Sequence, residues 1–509
     1  YHYTEALDLA RAAGRTDDMK TLEDAALRFL ILAGDRALGL DTAKAEANFG
    51  KALELTPAGH PERPTVLVRW ADAIRQAGRH ADAKRTLEEA VAALDREGRR
   101  VEAARARTLL ANVLWFSADG RHKEVITEAV AILESEPPGP DLVDAYAEAA
   151  RFDALGGRSK EAMVRTERAL RLASDLGLPE PAKPLGYRGL ARFGLGDAAG
   201  IEDLRKALSL ALDRGQGLEA AILYNNLSVD ELLMEGPAAA MVTTRASIEF
   251  CERRGITQPL RFNAANELDL RFQIGAWEGL LESTEELVRT LEAAGMTTTV
   301  ITLRELQSRV LVYTGRVKEA LPVAEWALDA ATKADTTENK VVTHTSAALA
   351  YMASGDAARA LRVLREIDEV PETRHVANYA DSVPTMVRAA VSAGDVSLAE
   401  RLSSGLEASH RYAENSLVAA GAVMAEARSE LEEATRLYAD AAERWKGFGH
   451  VPEQALALLG EGRCLFALGR SSEAVAPLRE AREIFARLGA KPLLAETDTL
   501  LEQSTALSS

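Results

Sequence analysis

Glycine returns along this chain about every forty residues, and each time a small or apolar residue follows five places later. The series runs Gly78…Ala83, Gly120…Val125, Gly157…Ala162, Gly196…Ile201, Gly236…Met241, Gly275…Leu280, Gly315…Ala320, Gly355…Ala360, Gly394…Ala399 and Gly469…Ala474. Successive spacings are 42, 37, 39, 40, 39, 40, 40, 39 and 75. The long last interval holds a degenerate copy in which Ala434 follows Ser429. An earlier copy lies at Asp41–Pro57, with Ala45, Phe49, Ala52 and Pro57 in register. About twelve copies account for nearly all of the 509 residues. A unit this short cannot bury its own apolar face, so the copies must stack.

Each copy reads as two helices. Before each Gly lie residues with helical apolar spacing, as in Val66-Leu67-Val68-Arg69-Trp70-Ala71-Asp72-Ala73-Ile74. The Gly ends that helix, because it enters the left-handed region cheaply. A second helix follows, as at Lys318-Glu319-Ala320. Seven places before the Gly stand Ala71, Val113, Ala150, Gly189, Val229, Ser308, Ala348, Val387 and Gly462, with Leu268 the exception. Small residues there let paired helices approach closely. Prolines cluster between copies, at Pro57/Pro61/Pro64, Pro137/Pro138/Pro140 and Pro179/Pro181/Pro184. Thr297-Thr298-Thr299-Val300-Ile301 is the best β-branched run, and it sits where a first helix should begin. The expected fold is all-α: one α-solenoid of about twelve helix–turn–helix repeats with a period of about 40 residues. These repeats resemble tetratricopeptide repeats, whose usual period is about 34.

Composition narrows the function classes. The formal net charge is −17, and apolar residues make up 47 %. That apolar content excludes a disordered chain, and the acidic balance argues against a nucleic-acid groove along its length. No apolar run approaches the length of a membrane helix. Two cysteines permit one bridge at most, so a reducing, cytoplasmic setting is expected. Cys251 and Cys464 lie on apolar helical stretches and read as buried, inert thiols.

Motifs for chemistry are absent from the sequence. No segment matches a phosphate-cradling P-loop. Gly194-Leu195-Gly196-Asp197-Ala198-Ala199-Gly200 approximates a dinucleotide fingerprint, but its third Gly is one place late and Gly196 is a repeat turn. No two of the eight histidines stand at i, i+3 or i, i+4, and His80 and His122 read as solvated turn residues. No catalytic residue, metal site or cofactor is therefore expected in this chain.

Polar residues on the first helices carry the functional reading. Tyr224-Asn225-Asn226, Phe262-Asn263 and Asn266-Glu267 lie mid-array, and Arg151, Arg309, Arg388 and Arg463 recur six places before their Gly. In a stacked array one recurring position becomes a stripe. Arg151, Asn225, Asn226, Asn263, Asn266 and Arg309 are the expected contacts for a protein or peptide on the concave face. The alternative is that these Arg and Asn cap turns and pair with acids such as Asp230 and Asp269.

A second resemblance concerns the whole chain. The opening Tyr1-His2-Tyr3-Thr4-Glu5-Ala6-Leu7…Ala12-Ala13-Gly14 resembles the junction after the ATPase module of large bacterial multidomain signalling proteins. Ala33-Gly34-Asp35-Arg36-Ala37 and the closing Phe448-Gly449-His450-Val451-Pro452 and Phe485-Ala486-Arg487-Leu488-Gly489-Ala490 are similar to their first and last repeats. The closest variety carries an adenylate/guanylate cyclase domain, then an AAA-type ATPase, then such repeats. The resemblance implies that residues 1–30 form a helical junction and 31–509 the repeat domain. It implies a regulatory scaffold, with ATP and Mg bound only upstream in the parent and the upstream modules as an intramolecular partner. Large ATP-binding LuxR-type regulators share the plan, and a stand-alone adaptor is the third possibility. A helix in full stride at Tyr1 leads to the expectation of a longer parent.

The register places Ala320 between the two helices of a central repeat. Ala320→Asp is expected to cost on the order of 3 kcal/mol or more by burying an unpaired charge. A denaturation midpoint unmoved by the change would show the register to be wrong.

Overall fold

The computed structural model describes residues 2–12, 19–117, 119–294, 296–334, 337–376 and 378–508. Tyr1, Ala13 and Gly14 of the opening motif lie outside them. Among the described residues there is no strand. After α1 (His2–Ala12), the helices fall into pairs: α2 (Met19–Ala37) with α3 (Thr42–Glu54), α4 (Arg63–Gln76) with α5 (His80–Arg96), and α6 (Arg100–Phe116) with α7 (His122–Glu134). The next pairs are α8 (Pro140–Leu155) with α9 (Ser159–Asp175), α10 (Ala182–Gly194) with α11 (Gly200–Asp213), and α12 (Gly217–Met234) with α13 (Pro237–Arg254). Then come α14 (Thr257–Gln273) with α15 (Leu280–Ala293), α16 (Thr297–Tyr313) with α17 (Val317–Ala334), and α18 (Thr337–Ala353) with α19 (Ala357–Asp368). The last are α20 (Tyr379–Ser392) with α21 (Val396–Ser403), α22 (Arg411–Ala427) with α23 (Leu431–Phe448), and α24 (Val451–Ala467) with α25 (Ser471–Leu488), followed by α26 (Lys491–Ser508). That is the expected all-α solenoid of twelve pairs. The β-branched run at 297–301 opens α16, so packing overrides its intrinsic strand preference.

The two helices of a pair differ in how they are buried. The first helix packs against its own second helix and against the first helices on either side. In α8, residues 145–153 are buried without a break. The second helix is buried on one stripe only, as with Ala162, Thr166, Ala169 and Ala173 of α9. The second helices therefore carry the cleaner amphipathic pattern, while the first helices are buried on most sides.

One hydrogen bond recurs at the turn. Arg79 N–H donates to Ile74 C=O at 3.0 Å, and Arg158 to Asp153, Arg316 to Leu311 and Arg470 to Leu465 do the same at 2.8–2.9 Å. The residue before each donor has a positive φ, which closes the first helix and launches the second. Ser429 takes that place at φ 62°, the one non-Gly residue described there, and Glu430 N–H donates to Ala425 C=O at 2.9 Å. The degenerate copy thus keeps the turn without its glycine.

Two readings of the repeat are corrected. Gly120 has no positive φ; Asp119 N–H makes the closing bond to Leu114 C=O, so Gly120 falls past the turn. Val229 is 40 % exposed while Ser228 is buried, because α13 begins directly after Gly236 and the turn is one residue shorter. Besides the prolines between repeats, Pro322, Pro384 and Pro477 lie inside helices, in their second turns.

The chain divides into two compact lobes. The first comprises residues 1–227 and 246–261, the second 228–245 and 262–509. Position 30 lies inside α2. The first lobe curls until α2 and α3 meet its last helices. Thr42 Oγ1 donates to Arg254 C=O at 3.2 Å. Gly39 and Gly217 touch backbone to backbone, since a Cβ on Gly217 would lie 1.9 Å from the Gly39 carbonyl oxygen. The second lobe closes similarly: a Cβ on Gly236 would lie 2.2 Å from the Phe448 carbonyl oxygen.

Ser429 carries a left-handed strain that glycine does not. Ser429→Gly is expected to stabilise by about 0.5–1 kcal/mol, read as a higher denaturation midpoint. No change would mean that the turn relaxes around serine.

Candidate functional site

In the first lobe the first helices α2, α4, α6, α8, α10 and α12 share one inner wall. It lines a cavity of about 330 Å³. One polar position on this wall recurs from repeat to repeat, at Arg75, Asn112, Glu148, Lys183 and Glu219. An Arg75 guanidinium N–H donates to Asn112 Oδ1 at 3.0 Å, and Asn112 Nδ2 donates to Glu148 Oε1 at 2.8 Å. Arg151 donates twice to the same oxygen at 2.7 and 2.9 Å, and Lys183 Nζ lies 3.0 Å from Glu148 Oε2. Glu148 is 2 % exposed. Burial opposes its ionisation, but the charges of Arg151 and Lys183 and the Asn112 hydrogen bond outweigh that and hold its carboxyl well below the usual range.

The ladder ends on a carboxylate without that hydrogen bonding. Glu219 also lines the cavity, and its Oε1 is buried without a hydrogen-bond partner. Burial pushes this carboxyl up to about 7; Lys183 draws it down, while Glu148 and Asp144 push it further up.

The second lobe builds its inner wall from arginine–acid pairs. Arg309 on α16 donates to Asp269 on α14 at 2.8 Å and to Glu305 at 3.1 Å. Arg388 on α20 meets Glu453 on α24 at 3.0 Å. Arg463 on α24 donates to both oxygens of Glu426 at 2.6 and 2.8 Å, and Tyr438 Oη donates to Glu426 at 2.6 Å. A cavity of about 410 Å³ opens beside Arg388, Glu426, Glu453 and Arg463, with Val423 and Leu456 on its apolar side. Burial pushes Glu305 up to about 7 and Asp381 up to about 8, and Asp269 adds to both.

The six residues expected to contact a partner are divided between the two lobes. Arg151 is 3 % exposed, tied to Glu148 and stacked over Phe152 at 4.7 Å. Asn225 and Asn226 are half-buried on α12 in the first lobe. Asn263 is fully buried and Asn266 half-buried on α14 in the second. Arg309 is paired as described, with the very Asp269 named as the alternative; Asp230 is buried beside Glu231 and burial pushes its carboxyl up to about 8. Arg75, Asn112, Glu148, Lys183 and Glu219 escaped the sequence reading. Their signal was present: a polar residue every 35–37 positions on successive first helices.

His80 and His122 are also corrected. Both pack against aromatics instead of facing solvent: His80 stacks on Phe116 at 5.5 Å, and His122 meets Phe152 edge-on at 5.0 Å. Burial pulls His80 down to about 4. The cysteines are free and buried, their thiols pushed up by burial to about 11 for Cys251 and about 12 for Cys464. Among the described residues no cluster of three His, Cys, Asp or Glu is placed to hold a metal, and no helix is long and apolar enough to cross a membrane.

No family model and no curated protein matches this chain. Solved structures do. The hetero-tetramer Cut9–Hcn1 of the APC/C is similar at 14 % identity and TM-score 0.45, over 94 % of this chain and 95 % of that one. A Rap protein complexed with competence and sporulation factor gives 12 % and 0.43 over 73 % and 99 %. A signal-transduction ATPase with a tetratricopeptide repeat sensor from Pyrococcus horikoshii gives 12 % and 0.48, over 70 % of this chain and 52 % of that one. At these identities the likeness concerns the helical-repeat fold alone.

Glu219 predicts a pH dependence. Folded Glu219 keeps its proton up to about pH 7, whereas unfolded it loses it near 4.5. The folded state binds more protons in between, so this group's contribution to stability is full below that ordinary value and falls as pH rises to about 8. Glu219→Gln is expected to raise stability at pH 8 by on the order of 2 kcal/mol and to change little at pH 4. Equal effects at both pH values in urea denaturation would contradict the assignment.

Proposed function

We propose that this chain is a non-catalytic repeat scaffold that binds a protein or peptide on the inner walls of its lobes. The observation behind this reading is the first-lobe ladder. Replacing a buried ion pair by well-packed apolar residues of similar volume is often neutral or stabilising. Yet six successive first helices keep polar groups on one wall around an open cavity. Regularly spaced donors and acceptors suit an extended backbone, whose own groups recur along its length. Neither cysteine supports an activated nucleophile, since both thiols are pushed away from the thiolate.

The resemblance to multidomain signalling proteins supplies the finer reading: a cytoplasmic regulatory arm controlling an upstream cyclase and ATPase. Purified alone, the chain is expected to show no cyclase or ATPase turnover. Deleting it from the encoded polypeptide is expected to change that polypeptide's cyclase turnover several-fold. Unchanged turnover would sink the regulatory reading, and a coding region lacking both modules would leave an independent adaptor. Asn226→Ala with Asn266→Ala is expected to weaken a bound partner while leaving the melting temperature alone. An equal loss of stability would make these two residues structural.

A further inference from the structure

Glu148 on the first-lobe wall is shared by two cations, Arg151 and Lys183, which face three acids in all, Glu148, Asp144 and Glu219, an excess of one carboxylate. Arg69 pairs with Asp35 at 3.0 Å, Arg75 with Asp72 and Asn112, Arg105 with Asp141 at 3.6 Å, and Lys183 with Glu148 at 3.0 Å. Each cation lining the cavity thus has an acid partner, and Lys183 also faces Asp144 and Glu219. Asp144 and Glu219 line the same cavity and form no ion pair among the described residues. Asp144 is exposed at the mouth, and Glu219 carries the buried, unpartnered oxygen. Between the polar groups the wall is aliphatic, formed by Leu38, Val68, Leu109 and Ile222.

We propose that this cavity binds the primary ammonium of an aliphatic amine, the chemistry of a lysine side chain, with its charge between Glu219 and Asp144 and its stem on the aliphatic wall. The two carboxylates come from different helices, α12 and α8. A compact ammonium with three freely directed donors can satisfy acceptors set apart in this way, whereas a planar guanidinium prefers both oxygens of one carboxylate. A carboxylate ligand would meet an excess of acid and cations already engaged. The inference rests on the reading of the inner wall as the ligand-bearing surface and names its ligand chemistry.

Binding should track the ionisation of Glu219. The titratable and charged groups facing it are Lys183 and Tyr187 on α10 and Asp144, Glu148 and Arg151 on α8. Burial pushes Glu219 up to about 7, so the site is mostly neutral at pH 6 and mostly ionised at pH 8. An alkylammonium keeps its charge over this range, so affinity should rise up to about tenfold between the two.

The test is ligand-observed saturation-transfer NMR on the full chain, with n-butylammonium, Nα-acetyl-lysine N-methylamide and n-butyrate as probes. Both ammonium probes are expected to receive saturation at pH 8, several-fold less at pH 6, and none in Glu219→Gln. Asp144→Asn, an exposed change that leaves the lobe folded by circular dichroism, should weaken both. Tighter binding of the blocked lysine assigns a peptide side chain; tighter binding of n-butylammonium assigns a free amine. Equal saturation of n-butyrate, or ammonium binding undiminished in Glu219→Gln, overturns the proposal. So does absence of any ammonium signal at pH 8. None of these results touches the scaffold reading, which stands or falls on partner binding and on turnover of the encoded polypeptide.

Discussion

The left-handed turn between paired helices is the constraint on which this architecture depends. It reverses the chain within two or three residues, so the second helix lies antiparallel on the first. That closeness makes the residues around it small and buried: Ala71 and Ala83 about Gly78, and Ala348 and Ala360 about Gly355, are all fully buried. Stacking results, because the first helix must then cover its other side with the next pair. The stack turns as it grows, and in the first lobe it closes where two glycines allow backbones to touch. Lengthen or shift one turn and the residues around it change burial, as Ser228 and Val229 show.

The cost of this design falls on the inner wall. First helices are buried nearly all round, so a polar residue there loses its water and must be given partners. The structure supplies them across repeats instead of within one. Glu148 takes Asn112 from the helix before and Lys183 from the helix after, and only Arg151 from its own. A substitution that removes Glu148 would leave Arg151 and Lys183 short of their counter-charge, and the damage would spread over three helices.

The fold was legible because its signal is periodic and local. Glycine ends the first helix, small residues recur at fixed offsets, and together they set the count of twelve. Even Ser429 was recognisable from Ala434 five places on. The register was less legible where a turn changed length, since at Gly120 and Gly236 the glycine persists while its role moves. The inner wall was read incompletely for a different reason. Arg309 and Arg388 were visible as a stripe of like residues. The first-lobe ladder alternates in sign and type, Arg75, Asn112, Glu148, Lys183 and Glu219, so no single residue type repeats. Its regularity lies in position alone. His80 and His122 misled because a residue next to a turn glycine suggests exposure, while here aromatic rings of the same repeat and of the next one cover them.

The two inner walls solve the same desolvation problem differently. In the second lobe each arginine of the stripe finds an acid, yet Glu305 and Asp381 remain where burial favours their neutral forms. No described cavity is lined by either. A proton meets their need without any ligand. Glu219 faces the same penalty but lines an open cavity beside a second unpaired carboxylate and an aliphatic wall. There a proton and an external cation compete for one site. That competition separates a merely tolerated buried acid from a recognition site: both resist ionisation, but the second can be ionised by what binds it.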